Sequence, residues 1–177
     1  MKRTIALVSL GCSKNLIDSE VMLNILAKNN FEVINDEVSA EVIIVNTCGF
    51  IESAKEESIT SIIEMGQYKQ KGKCKVLIVS GCLAERYREQ LLDEIPEVDA
   101  VIGTGDYKDI LEIIEEAYKG EKVIRYGNQE KVNIDELPRI VSTIGTYAYL
   151  KIAEGCDNRC TYCIIPALRG RYRSRKF

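Results

Sequence analysis

The chain has 177 residues, with 24 basic and 27 acidic side chains, seven cysteines and no histidine. That length suits one full domain and part of a second, and the lack of histidine removes His–Cys zinc sites and Ser–His–Asp or Cys–His catalysis. Five positive charges, Arg169, Arg171, Arg173, Arg175 and Lys176, crowd the end of the chain, and the other 19 basic residues face 27 acidic ones, which excludes a general nucleic-acid binder.

The apolar run Ile5-Ala6-Leu7-Val8 is too short for a secretory leader and predicts a first strand in a cytoplasmic protein. No apolar stretch approaches the roughly 18 residues of a membrane span. One plan then recurs three times. Ile5 to Leu10 ends in Gly11-Cys12, Val42 to Val45 leads to Cys48-Gly49, and Val76 to Val79 leads to Gly81-Cys82. Each strand-like run is followed by a segment of helical period, at Leu16 to Lys28, Glu52 to Tyr68 and Ala84 to Glu94. A fourth unit pairs Val98 to Ile102 with a helix from Asp106 to Tyr118. Near-continuous aliphatic strands alternating with amphipathic helices predict an α/β fold, a parallel sheet with helices on both faces.

Gly120 closes the fourth helix, and the polar stretch after it contains Pro138. We therefore expect an α/β domain over 1–120, a linker over 121–145 and the start of a second domain over 146–177. That second part opens with an expected strand from Tyr147 to Ala153, running into Gly155-Cys156. The alternating arginines at the end suggest a solvated strand face, with a polyanion contact as the other option. Gly103 and Gly105 lack the lysine and full glycine pattern of a phosphate loop and suggest a plain turn.

Cys156, Cys160 and Cys163 have the spacing C-x3-C-x2-C with no fourth cysteine nearby. Three thiolates on an iron–sulfur cube leave one iron open for a ligand that is not protein. Tyr162 is a candidate flat wall beside that iron, or a core aromatic. Ligands in open parallel sheets sit beyond the carboxyl ends of the strands, so Cys12, Cys48 and Cys82 become a second candidate trio if their strands are neighbours. A lone cysteine at a strand end packs as a small hydrophobe; repetition at equivalent positions argues otherwise here. Cys74 lacks that context and is expected to be a bystander.

Cys156-x3-Cys160-x-Tyr162-Cys163 resembles the signature of radical S-adenosylmethionine enzymes. Gly11-Cys12-Ser13-Lys14-Asn15, Asn46-Thr47-Cys48-Gly49-Phe50 and Gly81-Cys82 resemble the N-terminal domain of methylthiotransferases, and Ile164-Ile165-Pro166 with Leu168-Arg169-Gly170-Arg171 is most similar to their RimO type. The resemblance implies two 4Fe–4S clusters, one on Cys156, Cys160 and Cys163 that binds S-adenosylmethionine beside Tyr162, and an auxiliary one on Cys12, Cys48 and Cys82 that delivers sulfur. It implies methylthiolation of an aspartate on a small-subunit ribosomal protein, no catalytic protein side chain, and a donor such as flavodoxin or ferredoxin. It also implies that 146–177 holds only the first strand and cluster loop of a truncated partial (β/α) barrel, so the chain is expected to be an inactive fragment. Three alternatives stand beside this. They are a tRNA methylthiotransferase of the MiaB type, a non-catalytic iron–sulfur or sulfur-carrier module, and a zinc–thiolate interaction domain.

Overall fold

The computed structural model describes residues 2–127, 137–143 and 145–175. Strand β1 (Arg3–Ser9) runs into helix α1 (Ser13–Lys28), followed by β2 (Phe31–Val33), β3 (Val42–Thr47), α2 (Glu52–Gly66) and the short α3 (Tyr68–Lys71). Then come β4 (Val76–Gly81), α4 (Cys82–Tyr87), α5 (Glu89–Glu94), β5 (Ala100–Ile102), a 3-10 turn at Tyr107–Asp109, α6 (Ile110–Tyr118) and β6 (Val123–Arg125). The six strands form one sheet in the order β2-β1-β3-β4-β5-β6, and every pairing is parallel.

Alternation along each strand supplies both faces of this sheet. Ile5, Ile44 and Ile78 meet Val21, Met22 and Leu26 of α1 and Ile110, Ile113 and Ile114 of α6. Ala6, Ile43, Val45, Leu77 and Val79 turn the other way, onto Ile62 of α2, Leu83 and Ala84 of α4 and Leu91 of α5. All six residues of β3 and of β4 are buried, as a doubly covered parallel sheet requires. A fully buried side chain such as Ile44 contributes about 1.5 to 3 kcal/mol relative to exposure.

The α/β class and its helices on both faces are as expected, with differences in detail. Strands β2 and β6 were not foreseen. Each has three residues and lies at a sheet edge, too short for a periodic signal. Strand β6 also falls within the segment expected as a linker, so the sheet continues past Gly120; residues 128–136 of that segment lie outside the described residues. The third helix breaks into α4 and α5 at Arg88, whose φ is 45°.

The later segment holds β7 (Ala153–Glu154), helix α7 (Ile165–Arg169) and β8 (Arg173–Ser174), with β7 and β8 antiparallel. The strand expected from Tyr147 to Ala153 is thus reduced to its last residue and Glu154. The Ile152 carbonyl accepts from Arg175 N–H at 2.8 Å, but the residues before it belong to no strand, and Tyr147, Leu150 and Ile152 are exposed. Nor do the terminal arginines form one solvated face: Arg169 ends α7 and is 4% exposed, while Arg171 lies on the surface. Lys176 lies outside the described residues. Among the described residues, no helix is long and apolar enough to cross a membrane.

Candidate metal centres

Strands β1, β3 and β4 are consecutive neighbours, with Ser9 paired to Asn46 and Asn46 to Ser80. Cys12, Cys48 and Cys82 therefore leave the same edge of the sheet. Sheet order reverses at β1, where β2 lies on one side and β3 on the other, so the trio stands at the switch point where open α/β sheets bind ligands.

Glycines bring these loops together. Gly11 has φ 87°, and a β-carbon there would lie 2.7 Å from Cβ of Cys48 and 3.2 Å from its sulfur. Gly81 has φ 94° and no room for a side chain against Asn46 and Thr47. A buried polar lattice holds the strand ends: Asn15 Nδ2 donates to the carbonyls of Leu10 (3.1 Å) and Thr47 (2.8 Å). Asn46 Nδ2 donates to the Asn15 carbonyl and to Ser19 Oγ, both at 2.8 Å.

Cys12 is exposed, Cys48 half-buried and Cys82 buried. Burial pushes the Cys82 thiol up, the Arg169 guanidinium pulls it back down, and Cys12 and Cys48 push it up further. All seven cysteines are free thiols. Among the described residues, no three or more Cys, Asp or Glu side chains are gathered closely enough to hold a metal ion. Metal sites commonly close only as the ion binds, because deprotonated thiols repel until a cation joins them. A soft, all-thiol donor set fits an iron–sulfur cluster.

The second trio lies in the loop between β7 and α7. Cys156 and Cys163 are half-buried and Cys160 is exposed. Cys156 N–H donates to the Gly170 carbonyl (3.1 Å), Cys163 N–H to the Cys160 carbonyl (3.1 Å) and Tyr172 N–H to Asp157 Oδ1 (3.0 Å). Tyr162 is 87% exposed, so the core-aromatic option is overturned. It lines a cleft of about 460 Å³ with Phe50, Lys55, Arg86 and Cys163, bringing the second loop against the strand-end side of the first domain.

Cys74 is packed in the core below α3, where burial pushes its thiol up to about 11. The Gly103 turn is a plain one. Glu85 accepts from Thr104 N–H at 3.1 Å, placing a carboxylate where a phosphate would need a donor.

Sequence reasoning gave no role to the buried charges between the two trios. Arg169 donates to Asp18 Oδ2 (2.8 Å), to Glu154 Oε2 (3.2 Å) and to Asn15 Oδ1. Lys151 donates to Glu154 Oε2 (2.9 Å) and to Asp18, and Lys14 pairs with Glu154 at 3.3 Å. A signal existed. Asn15, Asp18 and Ser19 recur at helical spacing on the one face of α1 that is polar and buried.

A doubly wound parallel sheet with free thiols at its switch point, joined to a three-cysteine loop, defines a thiol-rich protein of the α/β class. The chain belongs to the family described as "Uncharacterized protein family UPF0004", whose model matches residues 4–103. Its relatives include proteins named "Ribosomal protein uS12 methylthiotransferase RimO". The one from Thermoanaerobacter sp. (strain X514) is 56% identical over 98% of this chain and 40% of the relative. That from Acetivibrio thermocellus is 55% identical over 99% and 40%, and that from Clostridioides difficile (strain 630) is 56% identical over 98% and 39%. The resemblance to the RimO type therefore holds across nearly all of the chain. The chain spans about 40% of the length of these relatives.

Proposed function

We propose that this chain is the cluster-bearing N-terminal part of an enzyme that methylthiolates an aspartate side chain of ribosomal protein uS12. The observation that carries this reading is the placement of Cys12, Cys48 and Cys82 on neighbouring strand ends, with the Cys156–Cys163 loop seated against the same side of the domain. The first trio would hold an auxiliary 4Fe–4S cluster and the second a 4Fe–4S cluster that binds S-adenosylmethionine. When bound, these groups supply radical generation and sulfur delivery.

The residues of the chain have other tasks. Gly11, Gly49 and Gly81 keep side chains away from the strand-end crevice, and Asn15 and Asn46 hold its walls in register. Tyr162 presents a ring at the cleft, and Arg86, whose guanidinium donates to the Gly49 carbonyl at 3.1 Å, spans from α4 to the Cys48 loop. No side chain of the described residues is needed as nucleophile. The enzyme would work in the cytoplasm, drawing electrons from a flavodoxin or ferredoxin. Because relatives bearing the activity are about 2.5 times as long, residues 1–177 alone would bind clusters without turning over.

Anaerobic reconstitution followed by iron and sulfide analysis tests the sites. Iron and sulfide in equal amounts, roughly halved when either trio is changed to alanine, is the expected result; stoichiometric zinc without sulfide would overturn it in favour of a zinc–thiolate domain. For the substrate, mass spectrometry of uS12 and of tRNA incubated with the full-length protein should show added methylthio on uS12. Modification of tRNA alone would overturn that assignment, and methylthiolation by residues 1–177 alone would overturn the claim of inactivity.

A further inference from the structure

Arg169 is carried by the segment of the second trio, six residues beyond Cys163, yet its guanidinium ends at the first trio. It is 4% exposed and donates to Asn15 Oδ1, the same oxygen that accepts from the Cys82 sulfur at 3.8 Å. Its seat is well built. Leu168 beside it is buried, and the Leu168 carbonyl accepts from Thr104 Oγ1 at 2.6 Å, fastening α7 to the turn after β5.

The largely buried charges around it balance, Lys151 and Arg169 against Asp18 and Glu154, and the third cation, Lys14, joins Glu154 from a half-exposed position. Arg169 stays charged, as a guanidinium does in proteins, and its two carboxylate partners hold it in place. The shared Asn15 Oδ1 puts the Arg169 cation beside the Cys82 sulfur, so a thiolate formed there would meet a positive charge already in place.

We propose that Arg169 is the buried countercharge of the site formed by Cys12, Cys48 and Cys82, supplied by the segment that carries the other three cysteines, and that it raises the reduction potential of a cluster held there. This rests on the cluster reading above. Potentials of iron–sulfur centres follow net charge and hydrogen bonds to sulfur; a cation beside one thiolate favours the state with the added electron. The first site is then complete only when the second segment is docked on it, and Arg169 acts as a positioning residue for both.

The experiment uses a chain in which Cys156, Cys160 and Cys163 are alanine, so that only the first trio can bind a cluster. After anaerobic reconstitution, the midpoint potential is measured by dithionite titration with electron paramagnetic resonance detection. Arg169→Gln should lower the potential, and Arg169→Lys, which keeps the charge and loses the planar fork, should stay near the parent. Equal potentials in the parent and Arg169→Gln, with equal iron, would overturn the proposal. Should Arg169→Gln not fold, the double variant Arg169→Gln with Asp18→Asn is compared with Asp18→Asn alone, so that the cation is the one difference. A lower potential in the double variant supports the proposal and equal potentials overturn it. Failure of the parent to bind iron and sulfide at all is a separate result, and it overturns the cluster reading on which this inference stands.

Discussion

Arg169 and Asp18 are separated by 151 positions in the chain and by 2.8 Å between Nη1 and Oδ2. Both are buried, and Lys151 shares the same carboxylate. This contact links the helix after β1 to the helix after the C-x3-C-x2-C loop.

Removing the carboxylate leaves Arg169 and Lys151, both largely buried, with Glu154 as their one shared anion and so one positive charge uncompensated. Asp18→Ala should therefore destabilise the chain by about 3 to 5 kcal/mol, the usual penalty for an uncompensated buried charge. Lys75→Ala, which breaks the largely exposed pair with Glu41, should cost about 1 kcal/mol or less. Urea denaturation followed by circular dichroism compares the two, and equal midpoints would contradict the burial argument.

Acid should loosen the same junction. Burial pushes the Glu154 carboxyl up, but Arg169 and Lys151 outweigh it and hold it at about 2, against an ordinary value of 4.5. A carboxyl depressed in the fold contributes its stability above pH 4.5 and loses it progressively as pH falls toward 2. The contribution at neutral pH is on the order of 3 kcal/mol. Urea midpoints at pH 6, 4 and 3 should fall more steeply for the parent than for Glu154→Gln; parallel curves would sink the assignment.

Thiol labelling should sort the cysteines by burial. Cys160 is exposed, whereas Cys74 is core-packed with its thiol pushed up to about 11, leaving on the order of one thiolate in a thousand at pH 8. Iodoacetamide treatment of the apo chain, read by peptide mass spectrometry, should modify Cys160 long before Cys74. Comparable rates would show that the Cys74 pocket opens readily.

Gly81→Ala and Gly120→Ala provide a matched pair, since both glycines have positive φ. A β-carbon at Gly81 would lie 2.3 Å from Asn46 Oδ1 and 2.5 Å from the Thr47 carbonyl, whereas at Gly120 nothing stands within 4 Å. The second change should cost about 1 kcal/mol of backbone strain. The first should cost several times more and reduce iron uptake by the first trio. Thermal melts and iron analysis read both effects, and similar melting points would show that the strand-end loops can move apart.

The six cysteines of interest were legible in the sequence because each trio repeats a local pattern, Gly-Cys at strand ends or three cysteines in one loop. The central strands were legible for the same reason, as buried parallel strands are uninterrupted aliphatic runs. Strands β2 and β6 were not, since three residues at an edge carry no period. The Asn15–Asp18–Glu154–Lys151–Arg169 network was hidden more deeply. A charged residue on a helix is ordinarily solvated, and only the arrival of opposite charges from a distant segment makes burial affordable. Arg169 in particular looked like one of four alternating surface arginines.

The hydrogen bond from Thr104 to the Leu168 carbonyl, taken with the Arg169–Asp18 pair, has a consequence for the order of events during synthesis. The six parallel strands are complete by Arg125, but their polar α1 face stays wet until residue 169 leaves the ribosome. At about 5 to 20 residues per second, the interval between Asp18 and its cation is roughly 8 to 30 s. A nascent chain in that interval would be a folded sheet with an open seam, and its last cooperative step would be closure of that seam by a helix of five residues.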